Sequence, residues 1–300
     1  MWLKFLLGAF FVLSLVGAFV VEPGREREPQ GNGADGRAEN GERLRLLSWN
    51  IGNGDLESET RAHAEDLPAV AKVILDNDAD AVALQELTGE EQLKLLLTHL
   101  KNRYRGYVSS RGSSDRVEAV LVKNRAERNE RSKRGEQGDR AGSGEDSVLF
   151  SDVPAGNRFA AAATFRWHKD LPEVVLVSAH ADAFSASRRR TFAADIVDWT
   201  RSHSKSELAF IAGDFNFEVS TRTKNNLFTD DANHDSESYA YLLKYFRDLG
   251  VDAGETSFND RRIDYIFGSA ATVSLRRAEV LRAAAVGRMD HWPLLIEVGF

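Results

Sequence analysis

The sequence predicts an α/β fold with two β-sheets and helices on their outer faces. Short runs rich in Val, Ile, Leu and Phe recur along the chain and are typical of buried strands. Segments with apolar residues at helical spacing separate many of these runs. The order strand-helix-strand-helix-strand-strand occurs twice between residues 43 and 300, so each half of this region is expected to contribute one sheet.

The first half begins with a strand that ends at Asn50. Ala64, Leu67, Val70 and Ile74 then recur at helical spacing. The predicted elements that follow the first strand are a helix over 61–76, a strand that ends at Glu86, an amphipathic helix over 90–100, and strands over 117–122 and 159–167.

The second half repeats this order. A strand ends at His180, a helix covers 188–202, and the next strand ends in Asp214-Phe215-Asn216. The remaining predicted elements are a helix over 239–249, a strand opened by Asp264, and a last strand opened by Asp290-His291.

Acidic, amide and imidazole side chains therefore lie at the ends of the predicted strands. If the first four of these strands run one way and the last two run antiparallel to them, all of the polar ends lie on one edge of the sheets. The residues are Asn50, Glu86, His180, Asp214, Asn216, Asp264, Asp290 and His291. Such a set predicts a site for a hard metal ion and for proton transfer.

Composition narrows the possible functions. The net charge of −7 and the pI near 5.6 indicate no general basic surface, so a nucleic-acid partner would need a local patch and metal ions. The chain has no cysteine, which excludes disulfides, thiolate zinc sites and cysteine nucleophiles.

The N-terminal region is expected to lie outside the folded domain. Residues 1–21 contain an uncharged apolar stretch of about 25 Å in helical form, which predicts an export signal or an uncleaved membrane anchor. Residues 22–42 are rich in Gly, Glu, Arg and Pro and predict a disordered linker. A second polar stretch, 125–146, predicts a flexible insertion in the domain over 43–300, with a polyanion-binding role as the alternative.

Six blocks in this order resemble the endonuclease/exonuclease/phosphatase superfamily of metal-dependent phosphoesterases. They are Ser48-Trp49-Asn50-Ile51, Leu84-Gln85-Glu86, Ser178-Ala179-His180, Gly213-Asp214-Phe215-Asn216, Arg262-Ile263-Asp264-Tyr265-Ile266 and Asp290-His291-Trp292-Pro293. The resemblance covers 43–300. It implies a four-layer sandwich in which two mixed, mainly antiparallel sheets pack face to face between helices.

The resemblance also implies roles for the strand-end residues. Asn50, Glu86 and Asp290 are expected to bind Mg²⁺ or Mn²⁺, with Ca²⁺ as a further candidate. His180 and Asn216 are expected to contact the substrate phosphate. Phe215 and Phe217 alternate with Asp214 and Asn216 and should enter the core.

Asp264 and His291 are expected to form a carboxylate–imidazole pair. Such a pair raises the basicity of the imidazole, so His291 is a candidate for activating the attacking water. Asp214 is the rival candidate for the base, and the sequence does not distinguish them.

Less specific sequence features resemble pancreatic-type deoxyribonucleases. Arg116-Val117-Glu118 resembles the strand whose glutamate supports a catalytic histidine, here His180. Asn157-Arg158-Phe159 resembles the start of a strand whose arginine contacts the phosphate. Glu218 stands where the inositol-polyphosphate phosphatases carry arginine, and Met289 replaces the usual serine before Asp-His.

The resulting prediction is an exported or membrane-anchored, metal-dependent hydrolase of phosphodiester bonds. A nuclease acting on nucleic acid, with DNA as the first choice, agrees best with these features. The alternatives are a phospholipid or sphingomyelin phosphodiesterase of the same superfamily and a non-catalytic binding module on this fold. No obligate protein partner is implied.

Overall fold

Two six-stranded β-sheets account for the strands in the described part of the chain. The computed structural model describes residues 42–52, 66–110, 116–124, 147–168, 170–204, 208–218, 236–258, 261–269 and 273–300. The predicted export segment, the linker up to residue 41 and the insertion 125–146 lie outside these residues. No helix in the described ranges has the length and apolar character that a membrane crossing requires.

The first sheet has the strand order β11-β12-β1-β2-β4-β3. Its strands are β1 (Arg43–Asn50), β2 (Ala81–Leu87), β3 (Tyr104–Val108), β4 (Val117–Lys123), β11 (Ser274–Val280) and β12 (Leu294–Gly299). β1 runs parallel to β2, and β12 runs antiparallel to β1.

The second sheet has the order β5-β6-β7-β8-β10-β9 and repeats this arrangement. Its strands are β5 (Val148–Ala155), β6 (Arg158–Arg166), β7 (Glu173–His180), β8 (Ala209–Asp214), β9 (Phe246–Asp248) and β10 (Asp264–Ser269). β7 runs parallel to β8, and β10 runs antiparallel to β8. The predicted directions of the strands that carry the polar ends are therefore confirmed.

Apolar residues alternate between two cores along each strand. Leu44 and Leu46 face the second sheet, whereas Leu47 and Trp49 pack with the helices outside the first sheet. The helices outside the first sheet are α1 (Leu67–Asp76) and α2 (Glu90–His99). Two further helices, α3 (Ala186–His203) and α4 (Ser236–Leu243), cover the second sheet. The fold is the predicted four-layer sandwich of two mixed sheets between helices.

The prediction fails at some elements. The helix predicted over 239–249 ends at Leu243, and Phe246–Asp248 forms an edge strand that pairs with β10. Strand pairing overrides the helical pattern here because Phe246 and Asp248 are buried while Arg247 is exposed. β3, β5, β9 and β11 were not predicted.

Gly213 allows β7 and β8 to come together just before Asp214. Its φ is +151°, and a Cβ at this position would overlap the carbonyl oxygen of Ala179 on β7. We expect Gly213→Ala to lower the free energy of unfolding by about 3 kcal/mol, since strain and overpacking each cost about 1–3 kcal/mol. Urea unfolding monitored by tryptophan fluorescence measures this loss.

Gly156→Ala is the matched control. Gly156 also has a positive φ of +58°, but a Cβ there has no atom within 4 Å. Its cost should therefore stay near the 1–2 kcal/mol of the left-handed conformation alone. Equal losses in the two variants would show that crowding against Ala179 is not the cause.

Candidate active site

The two sheets meet at a hydrogen bond between strand ends. Asn50 at the end of β1 donates from Nδ2 to Oδ2 of Asp214 at the end of β8, over 3.1 Å. Both side chains are buried, with 1% and 2% of their surface exposed. The Asp214 carboxylate is thus placed where residues from both sheets converge.

Glu86 joins this cluster in an unusual backbone conformation. Asn50 Nδ2 lies 3.1 Å from Glu86 Oε1, and Glu86 has a φ of +64°. A left-handed conformation is uncommon for a residue with a side chain and is found preferentially at functional sites. The register of β2 and β4 shifts between Leu84 and Leu87, and this irregularity turns Glu86 toward Asn50.

His180 lies between the two carboxylates and is also near a third. Its Nε2 is 3.7 Å from both Glu86 Oε1 and Asp214 Oδ2. Its Nδ1 is 3.7 Å from Glu118 Oε1, and neither of these two buried atoms has a hydrogen-bond partner. Burial lowers the pKa of His180 to about 4 against the opposing effect of Asp214, so the ring is neutral at pH 7. Burial also raises the pKa of Glu118 to about 8, which keeps that carboxyl protonated.

The electrostatic environment of His291 shifts its pKa in the opposite direction from that of His180. Its Nδ1 is 2.8 Å from Asp264 Oδ2, its Nε2 is 3.7 Å from Asp214 Oδ2, and Asp290 Oδ1 lies 4.0 Å from Nε2. Burial alone would lower the pKa of His291, but the carboxylates of Asp264, Asp214 and Asp290 outweigh it and raise the pKa to about 10. The two histidines beside Asp214 therefore differ in charge at pH 7.

Uncharged buried residues hold the Asp264–His291 pair in place. Thr256 Oγ1 accepts the backbone N–H groups of Ile263 and Asp264 at 3.1 and 3.0 Å. The Thr256 carbonyl accepts the N–H of Trp292 at 2.8 Å, so one residue fixes both sides of the pair. The indole N–H of Trp49 donates to the His291 carbonyl at 3.1 Å.

Arg158 and Asn216 lie beside this cluster and contact the backbone. Arg158 Nη1 donates to the carbonyls of His180 and Ala181, and Nη2 donates to Asp182. These bonds use three of the five guanidinium N–H donors, so the predicted phosphate contact of Arg158 does not require any of them to break. Asn216, with a φ of +53°, donates from Nδ2 to the Ala181 carbonyl, and its N–H is bound to Asp214 Oδ1. Phe215 and Phe217 are buried, as predicted.

Comparison with known proteins identifies the family of this chain. Residues 47–289 match the model of the endonuclease/exonuclease/phosphatase family. The chain belongs to this family. Its members are phosphoesterase hydrolases, and they typically depend on a divalent metal. No curated protein sequence matches the chain.

Solved structures of the family show the same fold. An endonuclease/exonuclease/phosphatase family protein from Bacteroides thetaiotaomicron is 16% identical, with a TM-score of 0.61 over 87% of this chain and 98% of that chain. The human Nocturnin catalytic domain is 16% identical, with a TM-score of 0.59 over 86% and 93%. A mannosyl-6-phosphatase from Bacteroides thetaiotaomicron is 17% identical, with a TM-score of 0.60 over 86% and 100%.

The residues of this family member fit a divalent cation. Asn50 Oδ1, Glu86 and Asp290 offer the oxygen ligands that Mg²⁺ and Mn²⁺ prefer. The chain also makes room for the carboxylate, because a Cβ at Gly52 would lie 2.8 Å from Glu86 Cβ and would overlap the carboxylate. The Gly52 N–H donates to Asn50 Oδ1 at 3.0 Å and so orients the amide.

A second group of possible ligand atoms lies within 4.8 Å of one another, on Asp214, Asp264 and His291. Within this second group, Asp264 is already bound to His291 through a 2.8 Å hydrogen bond, so its carboxylate is shared with the imidazole.

Sequence reasoning missed the residues that support the site. Gly52, Thr256 and Trp49 were assigned no supporting role from the sequence, and of the three only Trp49 stands in one of the family blocks. Trp49 contacts the backbone of His291, 242 residues away, and no local pattern indicates that contact. The contact between the Arg116 guanidinium and Glu86 also has no local sequence signal.

Gly52→Ala should weaken metal binding by displacing Glu86 and loosening Asn50. Changes in the residues that orient metal ligands cost about 10–100-fold in metal affinity. We expect the Kd for Mn²⁺, measured by calorimetry on the full-length protein, to rise at least about tenfold. Gly89→Ala is the control because a Cβ there has open space. Unlike Gly52, Gly89 has a positive φ, of +133°, so this variant introduces backbone strain without any contact with Glu86. An unchanged Kd for Mn²⁺ in Gly52→Ala would contradict the role of Glu86 as a metal ligand.

The raised pKa of His291 predicts how stability depends on pH in the metal-free protein. The folded state retains a proton that the unfolded state releases above pH 6.5, so its contribution is complete below pH 6.5 and is lost as pH rises toward about 10. His291→Gln should remove a slope of up to about 1.4 kcal/mol per pH unit in this window. Chemical unfolding at several pH values in a chelating buffer measures this slope. Parallel plots of unfolding free energy against pH for the wild type and His291→Gln would contradict the prediction.

Proposed function

We propose that this protein is a divalent-metal-dependent phosphodiesterase that hydrolyses its substrate by in-line attack of water on phosphorus. The observation that carries the proposal is the convergence on Asp214. Asn50 lies 3.1 Å from Asp214 Oδ2, and His180 and His291 each lie 3.7 Å from the same oxygen. An amide N–H donor, a neutral imidazole and a charged imidazole thus surround one carboxylate.

The opposite charge states of the two histidines support distinct roles. His291 is an imidazolium in the metal-free protein, so we assign it to the stabilisation of negative charge on the phosphoryl oxygens. Asp214 then takes the proton of the attacking water. The alternative, in which His291 takes this proton, requires the neutral imidazole that the three neighbouring carboxylates disfavour.

His180 is assigned to a hydrogen bond with the phosphate. Because Glu118 is protonated, its O–H would donate to Nδ1 of the neutral ring after a small approach from 3.7 Å. Nε2 would then carry the ring proton and face Asp214 and Glu86. A bound Mg²⁺ or Mn²⁺ would polarise the phosphoryl oxygen and stabilise its developing charge.

A nuclease remains our first choice of substrate class. The supporting features are Glu118 beside His180, Arg158 at the start of β6, and the Gly-Asp-Phe-Asn block. The apolar stretch within residues 1–21 supports export or anchoring by the N-terminus. The second candidate, a phospholipid phosphodiesterase, is favoured by the same N-terminal residues.

Hydrolysis by the full-length protein tests the proposal. Plasmid DNA, RNA, sphingomyelin vesicles and bis(p-nitrophenyl) phosphate are each offered with Mg²⁺, Mn²⁺ or Ca²⁺ after removal of bound metal by a chelator. We expect metal-dependent cleavage of DNA and of the small phosphodiester. Release of phosphocholine without nucleic-acid cleavage would favour the second candidate, and inactivity toward all four would contradict the proposal.

Asp214→Asn should lower kcat by about 10²–10⁴, the usual contribution of a general base. Steady-state rates with the preferred metal and substrate measure this effect. Asp76→Asn is the control because Asp76 is exposed on α1 and pairs with Lys72. Retention of most of the activity by Asp214→Asn would refute the assigned role.

A further inference from the structure

The Glu86 carboxylate already has a positively charged partner. Arg116, directly before β4, contacts Glu86 Oε2 through its guanidinium Nη1. The other carboxylate oxygen, Oε1, accepts a hydrogen bond from Asn50 over 3.1 Å. Both oxygens of the expected metal ligand are therefore engaged, one of them by a permanent cation.

A cation bound to Glu86 would meet the guanidinium at short range. Arginine remains protonated at any pH that the fold tolerates, so it cannot relieve the repulsion by losing a proton. The side chain can move instead, since it is 22% exposed. Metal binding and the Arg116–Glu86 contact thus compete for the same carboxylate.

A substrate phosphate offers Arg116 a new partner in the same place. The guanidinium presents a planar fork of N–H donors that matches two phosphate oxygens. β4 pairs antiparallel with β2, and this pairing places Arg116 at the strand edge that carries Glu86. Glu86 in turn lies 3.7 Å from His180, which the proposed function assigns to the phosphate.

We propose that Arg116 exchanges partners between two states of the enzyme. It balances the charge of Glu86 in the metal-free protein, and it binds a phosphate oxygen of the substrate once a divalent cation occupies Glu86. This inference rests on the proposed function and adds a phosphate-binding residue to it. By linkage, metal and phosphate then favour each other's binding, because the metal releases the group that the phosphate needs.

Metal affinity provides a test that does not depend on turnover. Calorimetric titration of Mn²⁺ into chelator-treated full-length protein should give a Kd about three- to tenfold lower for Arg116→Gln than for the wild type. Arg277→Gln removes the same charge from the exposed Arg277–Glu279 pair on the edge strand β11 and should leave the Kd within twofold. A Kd for Arg116→Gln equal to or above that of Arg277→Gln overturns the inference.

Binding of inorganic phosphate tests the metal-bound state, in which Arg116 contacts the phosphate. In Mn²⁺-loaded protein, Arg116→Gln should bind phosphate at least about tenfold more weakly than the wild type, and its KM should rise more than its kcat falls. In metal-free protein the two should differ by less than twofold. Equal phosphate affinity in the loaded proteins overturns the exchange.

Arg116→Lys separates charge from shape. It keeps the positive charge beside Glu86 but lacks the fork, so we expect a wild-type Kd for Mn²⁺ together with weakened phosphate binding. This variant also carries the test if Arg116→Gln does not fold, as judged by thermal unfolding. A wild-type protein that binds no Mn²⁺ would overturn both this inference and the proposed function. Equal Mn²⁺ affinities together with full activity overturn the exchange alone.

Discussion

The hydrogen bond between Asn50 and Asp214 is the contact on which the site depends, because it joins the last residues of strands in different sheets. It forms only if both sheets end at the same level and lie close together. Small residues at the interface, including Ala83 and Ala161, allow this approach. Directly beneath, Gln85 donates to Ser178 Oγ at 3.0 Å, and Ser178 donates to the Leu84 carbonyl at 2.9 Å.

These polar contacts between the sheets fix the relative position of the two halves of the site. A purely apolar interface would allow the two sheets to slide past each other more easily, because it contains no buried hydrogen bonds that are costly to break. Asn50 and Glu86 of the first sheet are thereby held against His180 and Asp214 of the second sheet. The rings of His180 and His291 each lie 3.7 Å from Asp214, so this carboxylate does not explain why their pKa values differ. Burial dominates for His180 and lowers its pKa, whereas Asp264, at 2.8 Å, and Asp290 help to raise the pKa of His291.

Much of this arrangement was predictable because strand ends have a local signal. Runs such as 208–213 followed by Asp214 identify both a buried strand and the polar residue at its end. The parallel and antiparallel pairings then bring those ends to one edge, as expected. The edge strand Phe246–Asp248 was not predictable in the same way, because its burial comes from pairing with β10 and from the Asp248–Arg262 ion pair, with N–O distances of 2.7 Å.

The supporting contacts escaped prediction for a related reason. Trp49 and His291 are 242 residues apart, and Asn50 and Asp214 are 164 apart, so no sequence window contains either pair. Gly52 has no Cβ and therefore leaves space for the Glu86 side chain, but the need for this space is evident only when the position of Glu86 is known. Local patterns therefore identify which groups take part, while long-range packing determines their distances and charge states.

The two halves of the site are held to different degrees, and the difference fits their proposed tasks. The Asp264–His291 half is fixed by Thr256 and Trp49, which bind its backbone on both sides. Glu86 instead has a left-handed backbone and a partially exposed arginine as a partner. Proton transfer and charge stabilisation benefit from fixed geometry, because preorganised groups need no rearrangement during the reaction. A metal ligand must instead accept and release an ion, so a carboxylate whose charge is balanced by a movable side chain suits that half of the site.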